Sequence, residues 1–141
     1  MKFLDANVFI YAYYKPKAPL TAKEKQMKEL SKRIISDVSQ GKEDVMTTVV
    51  HVSEVVNILK HRVPLESLTA VIQGLFMLEN VKILGVSAQD YFAAIELGKD
   101  LNLEPNDALA VDVMRQNEVR EVYSFDEHFD DVEGVVRLPA F

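Results

Sequence analysis

Four acidic residues, Asp5, Glu54, Asp107 and Asp126, carry the chemistry that this sequence can offer. Asp5 ends the short apolar run of MKFLDANVFI, with Asn7 beside it. Asp126 follows an alternating run in EVYSFDEHFDD, so both acids stand where a strand ends. Asp107 lies in the first turn of a helix announced by Pro105 and Asn106 in LEPNDALAVDVM. Carboxylates at such points can hold hard divalent cations. The chain has no cysteine, so any metal must be held by oxygen or histidine ligands.

Each acid also has a simpler reading. Asp5 can cap the helix that starts at Ala6, because Asp accepts hydrogen bonds from the free N–H groups of a first helical turn. Ser124 and Asp126 can each initiate a turn, and the helix dipole favours Asp107 where it stands. Asp112 lies five residues on, about 140° around the helix from Asp107, and reads as solvated. Glu54 is less easily dismissed. Val52, Val55, Val56 and Leu59 form one apolar stripe, and Val50 and Ile58, four residues to either side of Glu54, lie on the opposite side. A carboxylate in apolar surroundings costs several kcal/mol unless it is paired or metal-bound. His51 and His61 have no metal-ligand partner at a clear spacing and read as surface or interface residues.

Short apolar runs alternating with longer amphipathic segments must position these acids. Strands are expected at 2–4, 45–47, 81–86, 121–125 and 135–138, and helices at 6–14, 20–40, 49–62, 65–78, 88–101 and 106–117. The first long helix carries Met27, Leu30, Ile34, Ile35 and Val38 on one stripe and stops at Gly41. KPKAP before it reads as a turn. This alternation is the pattern of a parallel sheet covered by helices, and such sheets bind ligands outside the carboxyl ends of their strands, where the strand order reverses. Asp5 faces that crevice if the first strand is central.

The 141 residues match the size of one domain, expected here over residues 1–141, and the 48% hydrophobic and 27% charged residues describe an ordinary globular protein. No stretch approaches the roughly 20 apolar residues that span a bilayer, and Asp5 interrupts the apolar run near the start. A cytosolic location and no membrane partner are expected. The net charge of −6 argues against a polyanionic partner until its distribution is read. Residues 15–33 carry seven basic groups against two acids, a balance of +5, whereas residues 34–141 carry eight basic groups against 19 acids, a balance of −11. The basic segment is either a solvated helix face or a phosphate-steering edge beside an acidic centre.

Taken together, the acids resemble those of the PIN domain family. Its pattern is a first strand ending D-x-N, a Glu on the helix after a strand that ends in Ser or Thr, a D-A-L helix start, and a last strand running S/T-x-D-x-x-F. These correspond to Asp5 with Asn7, Thr48 leading to Glu54, Asp107-Ala108-Leu109, and Ser124-Phe125-Asp126 with Phe129. The match covers nearly the whole chain, and no acidic position departs from it. The resemblance implies a three-layer α/β/α sandwich with a mainly parallel sheet, and an endoribonuclease that cleaves single-stranded RNA with Mg²⁺ or Mn²⁺. It further implies Asp5, Glu54 and Asp107 as metal ligands, Asp126 as a direct or water-mediated one, and Asp130 as a weaker candidate. Asn7 and Ser124 would orient them, and Lys15, Lys17 and Arg33 would contact phosphates. A small stand-alone chain of this kind resembles the toxin of a VapBC-type toxin–antitoxin pair, a homodimer inhibited by an antitoxin peptide in the acidic groove. The alternatives are a housekeeping RNA-processing nuclease and a non-catalytic module that binds RNA or protein.

Overall fold

Each short apolar run pairs with its neighbours in parallel, because a helix carries the chain back across the sheet between one strand and the next. The structure, a computed structural model, describes residues 1–14 and 18–140. Strands β1 (Lys2–Leu4), β2 (Val45–Thr48), β3 (Val81–Leu84), β4 (Glu121–Tyr123) and β5 (Val136–Leu138) lie in the order β3-β2-β1-β4-β5, all parallel. The helices are α1 (Ala6–Tyr13), α2 (Ala22–Ser39), α3 (Val49–Leu59), α4 (Leu65–Met77), α5 (Ala88–Leu101) and α6 (Pro105–Gln116). A 3-10 turn, Glu127–Asp131, follows β4. Among the described residues no helix is long and apolar enough to cross a membrane.

Adjacent residues of a strand point to opposite faces of the sheet, and here they divide the core in two. Leu4 and Val45 pack with Val8, Phe9, Ile34, Val38, Val52 and Leu59 on one face. Phe3 and Met46 pack with Leu109, Met114, Val122 and Phe129 on the other. The expected three-layer α/β/α sandwich is thereby realised.

The strand order places β1 at the centre and reverses between β1 and β4. Leu4 pairs with Tyr123 at the carboxyl ends of these strands, and the Asp5 N–H donates to the Tyr123 carbonyl at 3.0 Å. Asp5 therefore enters the crevice that such a switch point opens. Two strands are shorter than their apolar runs suggest. β3 ends at Leu84 because its partner β2 ends at Thr48, where α3 begins. β4 ends at Tyr123, and Ser124 turns in toward Asp5.

Gly98 sets how closely α5 approaches the entry to α6. A Cβ at this position would lie 2.6 Å from the Leu103 carbonyl oxygen and 3.3 Å from Ala108 Cβ. Alanine gains up to about 1 kcal/mol of helix propensity over glycine, but overpacking against backbone costs about 1–3 kcal/mol. Gly98→Ala is therefore expected to lower stability by about 1–2 kcal/mol in urea denaturation. Equal or higher stability would show that the Leu103 carbonyl yields without cost.

The basic segment lies partly on α2. Lys15 and Lys17, with most of the KPKAP turn, lie outside the described residues. Arg33 is exposed on α2. Lys28 is engaged at the end of α1, where its Nζ donates to the carbonyls of Tyr11 at 3.1 Å and Tyr14 at 2.5 Å.

Candidate active site

Asp5 does cap α1, through a hydrogen bond from the Ala6 N–H to its Oδ1 at 2.9 Å. Its other oxygen serves a different purpose. Oδ2 accepts from the Ser124 hydroxyl at 2.7 Å, across 119 residues of sequence. Ser124 is fully buried, and its Oγ also accepts from Asn7 Nδ2 at 3.2 Å and from the Asp126 N–H at 3.0 Å. That uses the hydroxyl's one donor and both acceptor positions. Asn7 Oδ1 accepts in turn from the Phe125 N–H at 3.3 Å. The D-x-N of the first strand end and the S-x-D of the fourth are thus one hydrogen-bonded unit. Ser124→Ala would leave buried groups on both strand ends without partners. It is expected to cost about 1–3 kcal/mol in a denaturation experiment. A loss below a few tenths would mean that water replaces the hydroxyl.

Asp107 joins this unit from the first turn of α6, where it is 7% exposed. Burial pushes its carboxyl up to about 9, and a hydrogen bond with Asp126 and the charges of Asp5, Asp126 and Glu104 act in the same direction. Asp5 is raised to about 6, again chiefly by burial; its bonds from Ser124 and Ala6 oppose the shift, and Asp126 and Glu104 add to it. An isolated helix cap would show neither effect. Asp126 caps the 3-10 turn by accepting from the His128 N–H at 2.9 Å.

Glu54 reaches the site differently. It is half-buried on α3, and its Oε1 accepts from Asn106 Nδ2 at 2.8 Å. It borders a hollow lined by Val49, Val50 and Ile58 together with Ser53, Asn57, Tyr91 and Asn106, so the expected apolar neighbours are there, but Val49 and Ile58 are exposed. Tyr91 fixes the amide of Asn106 by donating to its Oδ1 at 2.6 Å.

His51 requires a correction. It is not a surface residue but 1% exposed, edge-on to Phe3 with ring centroids 4.9 Å apart. Its Nε2 lies 3.1 Å from the Asn106 carbonyl and its Nδ1 lies 2.7 Å from Thr48 Oγ1. A carbonyl only accepts, so Nε2 carries the proton and the Thr48 hydroxyl donates to Nδ1. Burial lowers the His51 pKa to about 4, keeping the ring neutral. His51 thus ties the start of α3 to the residue before Asp107. His61 is exposed and Asp112 half-buried. Asp130 is committed to Arg137 through two 2.9 Å contacts.

The sequence reading missed Asn106, Tyr91 and His51, whose roles come from contacts across 15 to 55 residues. It also missed Glu104, the residue before Pro105, and His128. A carboxylate oxygen from each of Asp107 and Asp126 and a ring nitrogen of His128 lie within 4.8 Å of one another.

The PIN domain family model matches residues 2–135. The chain belongs to the PIN domain family. No curated protein sequence matches it. Among solved structures this PIN domain is similar to Mycobacterium tuberculosis VapC20, a sarcin-ricin loop cleaving toxin, at 19% identity and a TM-score of 0.67, over 89% of this chain and 90% of that one. It is also similar to a toxin–antitoxin complex from Klebsiella pneumoniae, at 13% identity and a TM-score of 0.65, and to VapBC2 from Rickettsia felis bound to a promoter DNA fragment, at 14% identity and a TM-score of 0.62. Each of these two covers 96% of both chains. These likenesses concern the fold.

Proposed function

We propose that this PIN domain is a divalent-metal-dependent endoribonuclease that hydrolyses single-stranded RNA and acts as the toxin of a toxin–antitoxin pair. The observation that carries the reading is the convergence of Asp5, Asp107 and Asp126 at the switch point of the sheet. The charges that raise Asp5 and Asp107 are those of other acids. Oxygen donors that repel one another in a partly dry crevice suit a small hard cation such as Mg²⁺ or Mn²⁺. Asp5, Asp107 and Asp126 would hold it, with Glu54 reaching in from α3. Asp126 would bind it directly or through water.

When bound, such an ion supplies Lewis acidity and offsets the charge of the phosphate. The chain's own residues do the positioning. Ser124 and Asn7 fix the Asp5 carboxylate, and Asn106, oriented by Tyr91, aims Glu54. Water adds to phosphorus and gives a proton to a crevice carboxylate, and the bond to the 3′ oxygen breaks as that oxygen takes a proton from solvent. The products carry a 3′-hydroxyl and a 5′-phosphate. Arg33, with Lys15 and Lys17 of the same basic segment, would meet the phosphates of the strand.

The toxin reading is supported by the likeness to VapC20, a sarcin-ricin loop cleaving toxin, and to two toxin–antitoxin assemblies. An antitoxin segment would find a largely apolar hollow of about 310 Å³ lined by Ile10, Tyr11, Tyr14, Leu20 and Ile58, with Glu24 and Lys28 also on its wall. A second copy would cover Leu65, Phe76 and Met77 of α4, all exposed. Induced expression in a bacterial host tests the reading. Wild type should arrest growth and leave cellular RNA cut with 5′-phosphate ends, and Asp107→Asn should do neither. RNA cleavage without arrest would favour a housekeeping nuclease, and intact RNA would favour a non-catalytic module.

A further inference from the structure

His128 follows Asp126 by two residues, and the 3-10 turn holds its ring against that acid. Asp126 Oδ1 accepts the His128 backbone N–H at 2.9 Å and lies 3.0 Å from ring Nδ1. The ring itself is 72% exposed. Among the described residues, the tight group of metal-ligating atoms consists of Asp107, Asp126 and His128, within 4.8 Å of one another. It includes neither Glu54 nor Asp5, whose two oxygens accept from the Ala6 N–H and the Ser124 hydroxyl.

A 3.0 Å separation of Nδ1 and Oδ1 is met either by an Nδ1–H hydrogen bond to the carboxylate or by an ion bound to both atoms. Neighbouring ligand atoms around an octahedral ion at about 2.1 Å stand about 3 Å apart, so the spacing suits both. The contact by itself contributes little to stability, because water screens an exposed pair. The exposed ring nitrogen can therefore be turned to a cation at little cost.

We propose that His128 is a nitrogen ligand of the ion held by Asp107 and Asp126, giving this site a mixed oxygen and nitrogen donor set. The inference rests on the metal site of the proposed function and deepens it by naming the preferred ion. Imidazole strengthens binding of Mn²⁺ and later first-row ions, whereas Mg²⁺ favours oxygen. The site should therefore select Mn²⁺ over Mg²⁺, and His128 should be responsible for that selectivity.

Pulsed electron paramagnetic resonance of the Mn²⁺-loaded protein reads the bond directly, without reference to activity. Wild type should show echo modulation from a directly bound ¹⁴N nucleus, and His128→Gln should lose it. The side chain is exposed, so the variant keeps its fold. Calorimetric titration should show Mn²⁺ binding to the variant weakened about tenfold, and Mg²⁺ binding changed by less than about twofold. Mn²⁺ bound by wild type without nitrogen modulation, or both ions weakened equally, would overturn the ligand assignment and leave the carboxylate site standing. No Mn²⁺ binding by wild type would overturn both.

Discussion

Without divalent ions, Asp107→Asn is expected to melt above wild type at pH 8, by about 5 °C, although it loses metal-dependent cleavage more than about 100-fold. Both effects come from one carboxyl. The ordinary value for an aspartate is 3.8, and in the folded chain Asp107 sits near 9. Between about 4 and 9 the folded state therefore binds more protons than the unfolded state, and wild-type stability falls as pH rises through that window. Asparagine has no such dependence and can still donate a hydrogen bond to Asp126. Water at the mouth of the crevice screens the cost, so the gain is set at about 1–2 kcal/mol rather than the full shift. The gap should shrink toward pH 5. Melting curves of the two proteins across that range decide it, and a variant no more stable than wild type at any pH would contradict the crowding of the acids.

The second large effect is the response to metal. Mn²⁺ at a hundred times its dissociation constant stabilises the folded state by about 2.7 kcal/mol, which corresponds to about 10 °C in melting temperature. Protons compete for Asp5, raised to about 6, and for Asp107, so the shift should grow from pH 6 to pH 8. Asp107→Asn should lose most of it. Shifts of equal size in both proteins would place the ion elsewhere.

Three of the acids are legible because each sits at a break in hydrophobic pattern: Asp5 and Asp126 at strand ends, after Leu4 and Phe125, and Asp107 in the first helical turn after Pro105. Their meeting depends on strand order, and there the PIN-like spacing supplied what periodicity could not. Val50 and Ile58 do flank Glu54 as their spacing suggests, but a polar partner aims the carboxylate. Its position is set by Asn106, which comes 52 residues later in the chain. His51 lies among valines and reads as a surface residue, yet the Asn106 carbonyl and the Thr48 hydroxyl together satisfy it in the core. Local sequence carries no sign of such pairings. The length of β3 was overestimated for a related reason, since a strand ends where its partner does.

The most direct measurement is the cleavage of a labelled mixed-sequence single-stranded RNA by the purified protein in Mn²⁺, then in chelator, then with Mn²⁺ restored. The Asp107→Asn variant is carried in parallel. The acid cluster predicts cutting that stops with chelator, returns with Mn²⁺ and is absent from the variant throughout. Cutting that persists in chelator, or that Asp107→Asn retains at the wild-type rate, would contradict a metal-dependent nuclease built on these acids.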